Sequence, residues 1–240
     1  MAWVVGGLLL LASTVGAKDL IVRQRSSTGL GGPEAGEETV YLAGDTIVTD
    51  AAAQRIVVDL AQKNITSIDK ARKTYTVLTF DELRAQMDAL RQMLESLPPE
   101  SRKQLGALFE ESGPVSLKET GRTETIAGYT AKEHAISGGP YSGSIWTTNA
   151  IVTPPAFSKW KGIEQSQGGA GRRLGEAMER LEGFPLRTRI EIKSGGQPTV
   201  LSNEVIDVKD GSPPRELLTV PSGFTKQAAR PATPPTGASH

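Results

Sequence analysis

The chain has 240 residues, 38% of them hydrophobic, and carries 27 Lys and Arg against 27 Asp and Glu, so its formal net charge is zero. That length suits one large β-rich domain, while the balanced charge and the 5% aromatic content exclude the basic field and stacking platforms that nucleic-acid binding uses. Cysteine is absent, which removes disulfides, thiolate metal sites, catalytic thiols and a lipid-modified N-terminal Cys.

Met1–Ala17 (MAWVVGGLLLLASTVGA) has no charged side chain and an apolar core from Val4 to Ala12. A helix needs roughly 20 residues to span a bilayer core of about 30 Å, so this stretch is too short to cross. Val15 and Ala17 place small residues at the −3 and −1 positions of a cut before Lys18, the form of a secretory signal peptide, although its n-region lacks Lys or Arg. The expectation is an exported chain, Lys18–His240, periplasmic or secreted.

Short strands follow. Asp19–Arg25 reads as the first, and the Gly-rich acidic stretch Ser26–Glu38 as a mobile loop. Then come Thr39–Gly44, Asp45–Asp50, Gln54–Ala61, Ile65–Asp69 and Lys73–Leu78. In QRIVVDLA the residues Ile56, Val58 and Leu60 alternate with Val57 and Asp59, the period-two mark of a sheet. Short turns between strands predict a meander and not a βαβ unit.

The period then changes. Thr79-Phe80-Asp81-Glu82 has the form of a capping box, with Leu78 and Leu83 placed as a hydrophobic staple. Leu83, Met87, Leu90, Met93, Leu94 and Leu97 recur at spacings of three and four, which draws one apolar stripe down a helix that stops before Pro98-Pro99. A second helix is expected from Pro99 to about Glu111, with Leu105, Leu108 and Phe109 apolar. The unbranched Met side chains suit a lid over an apolar cavity, and plain packing on the sheet is the other reading.

Strands resume at Val115–Glu119, and Gly128 and the cluster Ser137-Gly138-Gly139-Pro140 then divide Thr123–Ala127, Tyr129–Ser137 and Ser142–Val152. These glycines mark antiparallel reversals or barrel corners. After Pro154-Pro155 the chain holds Phe157, Trp160 and Ile163, then a helix over Arg172–Leu181 and strands at Leu186–Lys193, Thr199–Val208 and Glu216–Val220. Thr225–His240 is small, polar and Pro-rich, the composition of a disordered tail. The expected organisation is a leader at 1–17, one domain at 18–224 with a helical insertion at about 80–111, and a tail at 225–240.

No catalytic constellation emerges. Of the two histidines, His134 falls in a strand and His240 at the terminus, and no G-x-S-x-G elbow or H-E-x-x-H occurs. Asp207–Gly211 reads as a strand-ending turn rather than a calcium loop, and Gly168–Gly175 lacks the spacing of a phosphate loop. The reading is therefore a non-enzymatic chain with no catalytic residue, no metal and no cofactor. Trp146, Trp160 and Phe184 stand out as large apolar side chains in or beside the later strands, as core or as cavity wall.

Taken in order, KTYTVLTFDEL, TGRTETIAGYTAKEH, GSIWTT, EGFPLR, EVIDVKDG and VPSGFTK resemble the bacterial exported DUF4412 proteins, which are similar to lipoprotein carriers of the LolA/LolB type. The resemblance covers nearly all of the chain after the leader. It implies an α+β fold, a curved antiparallel sheet forming an incomplete barrel, with short helices covering the concave side. It also implies a concave side that holds acyl chains, and the expectation is a lipid or acylated protein as partner, with peripheral contact with a membrane. The stripe and the aromatic trio then supply the candidates for the cavity lining, Leu83, Met87, Leu90, Met93, Leu94, Trp146, Trp160 and Phe184. The alternative is an envelope interaction module whose barrel is filled by its own side chains.

Overall fold

The computed structural model describes residues 18–28, 36–98, 114–159, 170–193 and 198–229. The leader, the expected second helix at 99–111, Trp160 and residues 230–240 lie outside the described residues, as does the side chain of Leu94. The elements are β1 (Leu20–Thr28), β2 (Gly36–Ala43), β3 (Thr46–Ala51), β4 (Gln54–Asp59), β5 (Asn64–Asp69), β6 (Thr74–Thr79), α1 (Phe80–Ser96), β7 (Ser116–Ile126), β8 (Tyr129–Gly138), β9 (Tyr141–Thr148), α2 (Ala170–Glu179), β10 (Phe184–Ile192), β11 (Thr199–Asp210), a 3₁₀ turn (Arg215–Leu217) and β12 (Thr225–Lys226).

All strands join one 12-stranded sheet in the order β12-β6-β5-β4-β3-β2-β1-β11-β10-β9-β8-β7. It does not close into a barrel: β7 and β12 are its two edges. Pairing is antiparallel throughout except for β12, which lies parallel to β6. Two meanders, β1–β6 and β7–β11, are stitched together where β1 pairs with β11, from Leu20↔Asp210 to Thr28↔Leu201.

Turn chemistry explains the reversals. Ala127 and Gly128, at φ 49° and 83°, join β7 to β8 with both central residues left-handed, the geometry whose twist matches a hairpin. Gly143 serves a different need. A Cβ on it would come within 2.0 Å of the Arg189 carbonyl oxygen, so only Gly allows β9 and β10 to approach this closely.

The sequence expectation divides β7 in two, but the structure has one strand. Its register with β8 shifts between Glu119 and Thr123, so Thr120–Arg122 bulges without ending the pairing. β9 ends at Thr148 rather than Val152, because the next residues turn into a helical segment at 155–159. The strand expected at Glu216–Val220 is absent. Between Pro214 and Pro221 the chain makes the 3₁₀ turn instead, since Pro has no N–H for a ladder. Thr225 and Lys226, expected in the tail, pair with Thr74 and Tyr75 as β12.

Two buried clusters form the core. One gathers Leu20, Val22, Leu42, Ile47 and Val58 with Trp146, Phe184 and Leu186, together with Ile151 and Ala156 from the segment after β9. The other joins Ile136, Tyr141, Ile145 and Ile190 to Ala177 and Leu181 at α2. Neighbouring residues Ile145 and Trp146 point to opposite faces of β9 and so enter different clusters.

The opposite face of the β3–β5 region buries Val48, Val57 and Ile68. The chain after β11 crosses this face, held by Arg55 Nη1 donating to Glu216 O at 3.1 Å and by Thr225 N donating to Lys73 O at 3.0 Å. Beneath it Asp50 accepts from Arg55 and Lys70, each at 2.8 Å. Partial burial works against the Asp50 carboxylate, but these two cations outweigh it and hold its pKa below the usual value.

The capping box at the start of α1 is formed as expected. Thr79 N donates to Glu82 Oε2 at 2.8 Å, and Glu82 N donates to Thr79 Oγ1 at 3.1 Å. Beyond this cap α1 meets the sheet chiefly beside β6, and its first residue, Phe80, packs against the first core cluster. Leu83, Met87, Leu90 and Leu97 stay half-buried and Met93 is exposed, so covering of the sheet by α1 is not seen among the described residues.

Candidate functional site

The sheet carries an open apolar groove of about 390 Å³, lined by Val22, Gln24, Val40, Leu42, Ile47, Thr49, Phe157, Phe184, Pro185, Thr188, Asn203 and Val205. Strand register explains why these residues converge. Val22 faces Val40, which faces Thr49, and Leu42 faces Ile47. Gln24 faces Val205, and Asn203 faces Thr188. Side chains opposite one another in an antiparallel pair lie on one face, so residues from β10, β11, β1, β2 and β3 form a continuous floor. At one end Phe157, from the segment at 155–159, meets Phe184 with ring centroids 5.7 Å apart.

Most of the apolar floor is already withdrawn from water. Val22, Leu42, Ile47, Phe184 and Val205 are buried, while Val40, Phe157, Thr49 and Gln24 are half-buried and reachable. An entering apolar chain would contact this second set first and gain mainly by burying its own surface.

The other end of the groove is polar. Glu38 Oε1 accepts from Gln24 Nε2 at 2.8 Å and from Ser26 Oγ at 2.6 Å, and Asn203 Nδ2 donates to Ser26 Oγ at 3.4 Å. Among the described residues Lys and Arg are absent from the lining. Arg25 and Arg187 stand one position away from Gln24 and Thr188, so they project to the other face. There they pair with Glu37 and with Glu124 and Glu204.

A second polar centre lies on β7–β8. Glu133 is 3% exposed, accepts from Thr120 Oγ1 at 2.8 Å and pairs with the Arg122 guanidinium. Burial alone would raise its pKa, but the Thr120 hydroxyl and Arg122 reverse that and keep it low. Both partners come from the β7 bulge, so the pair pins the bulge to β8. His134, also on β8, shares a 3.1 Å hydrogen bond with Thr147 Oγ1. Among the described residues no group of His, Asp and Glu is arranged to hold a metal ion, and no helix is long and apolar enough to cross a membrane.

Of the expected cavity residues whose side chains are described, Phe184 alone lines the groove. Trp146 is 8% exposed within the core cluster that contains Phe184. Leu83, Met87, Leu90 and Met93 run along α1 and line none of the described cavities. The groove-forming Val22, Val40, Leu42, Ile47 and Val205 are missing from the sequence expectation. Their signal was the polarity of alternate residues in β1, Leu20, Val22, Gln24 and Ser26, which passes from apolar to polar along one face.

A family model described as a domain of unknown function, DUF4412, matches residues 39–224. The chain belongs to the DUF4412 family. The match runs from within β2 to just before β12, so it takes in most of the sheet. No curated protein matches this DUF4412 chain in sequence. Among solved structures it is similar to an uncharacterised conserved protein from Thermus thermophilus, at 8% identity and TM-score 0.47, over 89% of this chain and 91% of the other. It is also similar to MucB, at 10% identity and TM-score 0.37, over 87% of this chain and 59% of MucB. A LolA superfamily protein, NE2245 from Nitrosomonas europaea, aligns at 9% identity and TM-score 0.28, over 85% and 90% of the two chains. With TM-scores below 0.5, the architecture rests on the strand pairing and not on these likenesses.

Proposed function

We propose that this DUF4412 protein is an exported, non-enzymatic binding protein that holds the acyl chain of a lipid or of an acylated protein in the groove over β10, β11, β1, β2 and β3. The observation that carries this reading is the groove of about 390 Å³ with Val22, Val40, Leu42, Ile47, Val205, Phe157 and Phe184 in its wall. That volume falls in the range of small-molecule sites, about 300–1,000 Å³. Each methylene drawn in from water contributes about 0.8 kcal/mol, so a single chain supplies enough to offset the cost of association.

In this reading the helical cover comes from the segment at 155–159 through Phe157, and α1 stands beside the sheet at β6. Export follows from the leader Met1–Ala17, whose removal would free Lys18. The alternative of a filled barrel has less support, because the groove leaves about 390 Å³ of space over the strands.

Native mass spectrometry and solvent extraction of protein purified from its native envelope test the reading. Co-purifying lipid released on unfolding is the expected result. Protein recovered free of lipid, with no affinity for a fluorescent fatty-acyl probe, would contradict it.

A further inference from the structure

We propose that the groove selects a single-chain amphiphile whose head group donates hydrogen bonds and carries no negative charge, and that Glu38 sets this preference. The inference rests on the groove being the lipid site and specifies which lipid class it takes.

The polar end is built in one direction. Asn203 Nδ2 donates to Ser26 Oγ, Ser26 Oγ donates to Glu38 Oε1, and Gln24 Nε2 donates to the same carboxylate oxygen. Glu38 therefore draws the amide nitrogens of Gln24 and Asn203 into the network. Both residues also line the groove; each amide keeps its carbonyl oxygen and one N–H, and the Glu38 carboxylate keeps further lone pairs, so acceptors outnumber donors at this end. Thr49 and Thr188 add hydroxyls that can serve either role.

Charge points the same way. A carboxylate or phosphate head would sit near the Glu38 charge in a partly buried setting, where like charges repel more strongly than in water. Among the described residues the groove lining holds no Lys or Arg to compensate. Arg25 and Arg187 line the neighbouring cleft, where their charges are paired with Glu37 and with Glu124 and Glu204. A hydroxyl-rich or ammonium head has no such conflict and meets acceptors on several sides.

The test uses the full chain with three ligands of equal chain length, 1-monomyristoylglycerol, tetradecylamine and myristate, each displacing an apolar fluorescent probe below its aggregation concentration near neutral pH. The monoglyceride and the amine are expected to bind about tenfold tighter than myristate, the scale of one hydrogen bond to a charged group gained or lost. Glu38→Gln keeps an acceptor for Gln24 and Ser26 while removing the charge. It should strengthen myristate binding about tenfold and change monoglyceride binding by less than about threefold. Equal or tighter binding of myristate by the unmodified chain overturns the inference, as does an unchanged ligand ratio in Glu38→Gln. Val40→Asp separates the two levels. If it abolishes binding of all three ligands while the unmodified chain shows no head-group preference, the groove stands and only the selectivity fails. If none of the ligands binds, or if Val40→Asp leaves them all bound, the groove reading falls and the selectivity with it.

Discussion

One side of this sheet meets two different fates. By register Ile145 faces Thr188, Thr188 faces Asn203, and Asn203 faces Ser26, so these side chains share a face from β9 to β1. Over β8–β10 that face is capped by Leu174, Ala177 and Met178 of α2 and by Leu181 just beyond it, which pack on Ile136, Ile145 and Ile190. Over β11–β3 the same face supplies the groove floor, which among the described residues is roofed at one end by Phe157. Closure and opening are therefore local choices on one surface. What decides them is whether a following segment brings an apolar stripe back over the strands.

The largest effect should come from breaking the closed region. Ile145 is 0% exposed beneath α2, so Ile145→Ala removes packed atoms and leaves a cavity. The expected loss is about 2–5 kcal/mol in denaturant unfolding. A loss under about 1 kcal/mol would mean that α2 does not seal this face.

Next is the pinned bulge. Arg122→Leu leaves the buried Glu133 carboxylate with Thr120 as its remaining partner, for a cost of about 1–3 kcal/mol. The pair also sets a pH dependence. The folded-state pKa of Glu133 lies below the ordinary 4.5, so its contribution is complete above that value and is lost as pH falls through the lower folded one. Glu133→Gln should flatten the decline in melting temperature on acidification below pH 4.5, and an unchanged acid limb would contradict this.

A smaller effect is expected at α1. Thr79→Ala removes the reciprocal cap, worth about 0.5–2 kcal/mol to a helix. Because α1 meets the sheet chiefly at β6, the loss should appear as reduced helical circular dichroism and faster amide exchange in α1, with the sheet transition nearly unmoved. In the open region the effect is read in binding. Val40→Asp, at a half-buried groove position packed against the core cluster, should cost about 1–3 kcal/mol while removing acyl-probe binding.

Much of the fold was legible because its signals are local. Gly128 and the Gly138-Gly139 pair announce hairpins, and Thr79 with Glu82 announces the helix start to the residue. The strand misread at Glu216–Val220 had apolar residues but also flanking prolines, and tertiary contact with Arg55 made it a strap across the sheet. The groove was not legible for a related reason. Val22, Val40 and Val205 each look like ordinary strand residues; Val22 meets Val40 across β1 and β2, and Val205 joins them only because β1 pairs with β11, with Gln24 opposite Val205. The stripe on α1 drew attention because helical periodicity is visible in sequence. The partner that such a stripe meets is not.

The most direct test of the account compares these two apolar surfaces in a single titration. A fluorescent acyl probe is titrated into the unmodified chain, Val40→Asp and Met87→Asp, with circular dichroism verifying that each is folded. The account predicts that Val40→Asp loses binding while Met87→Asp retains it. Binding lost in Met87→Asp and kept in Val40→Asp would place the ligand against α1 and contradict the groove.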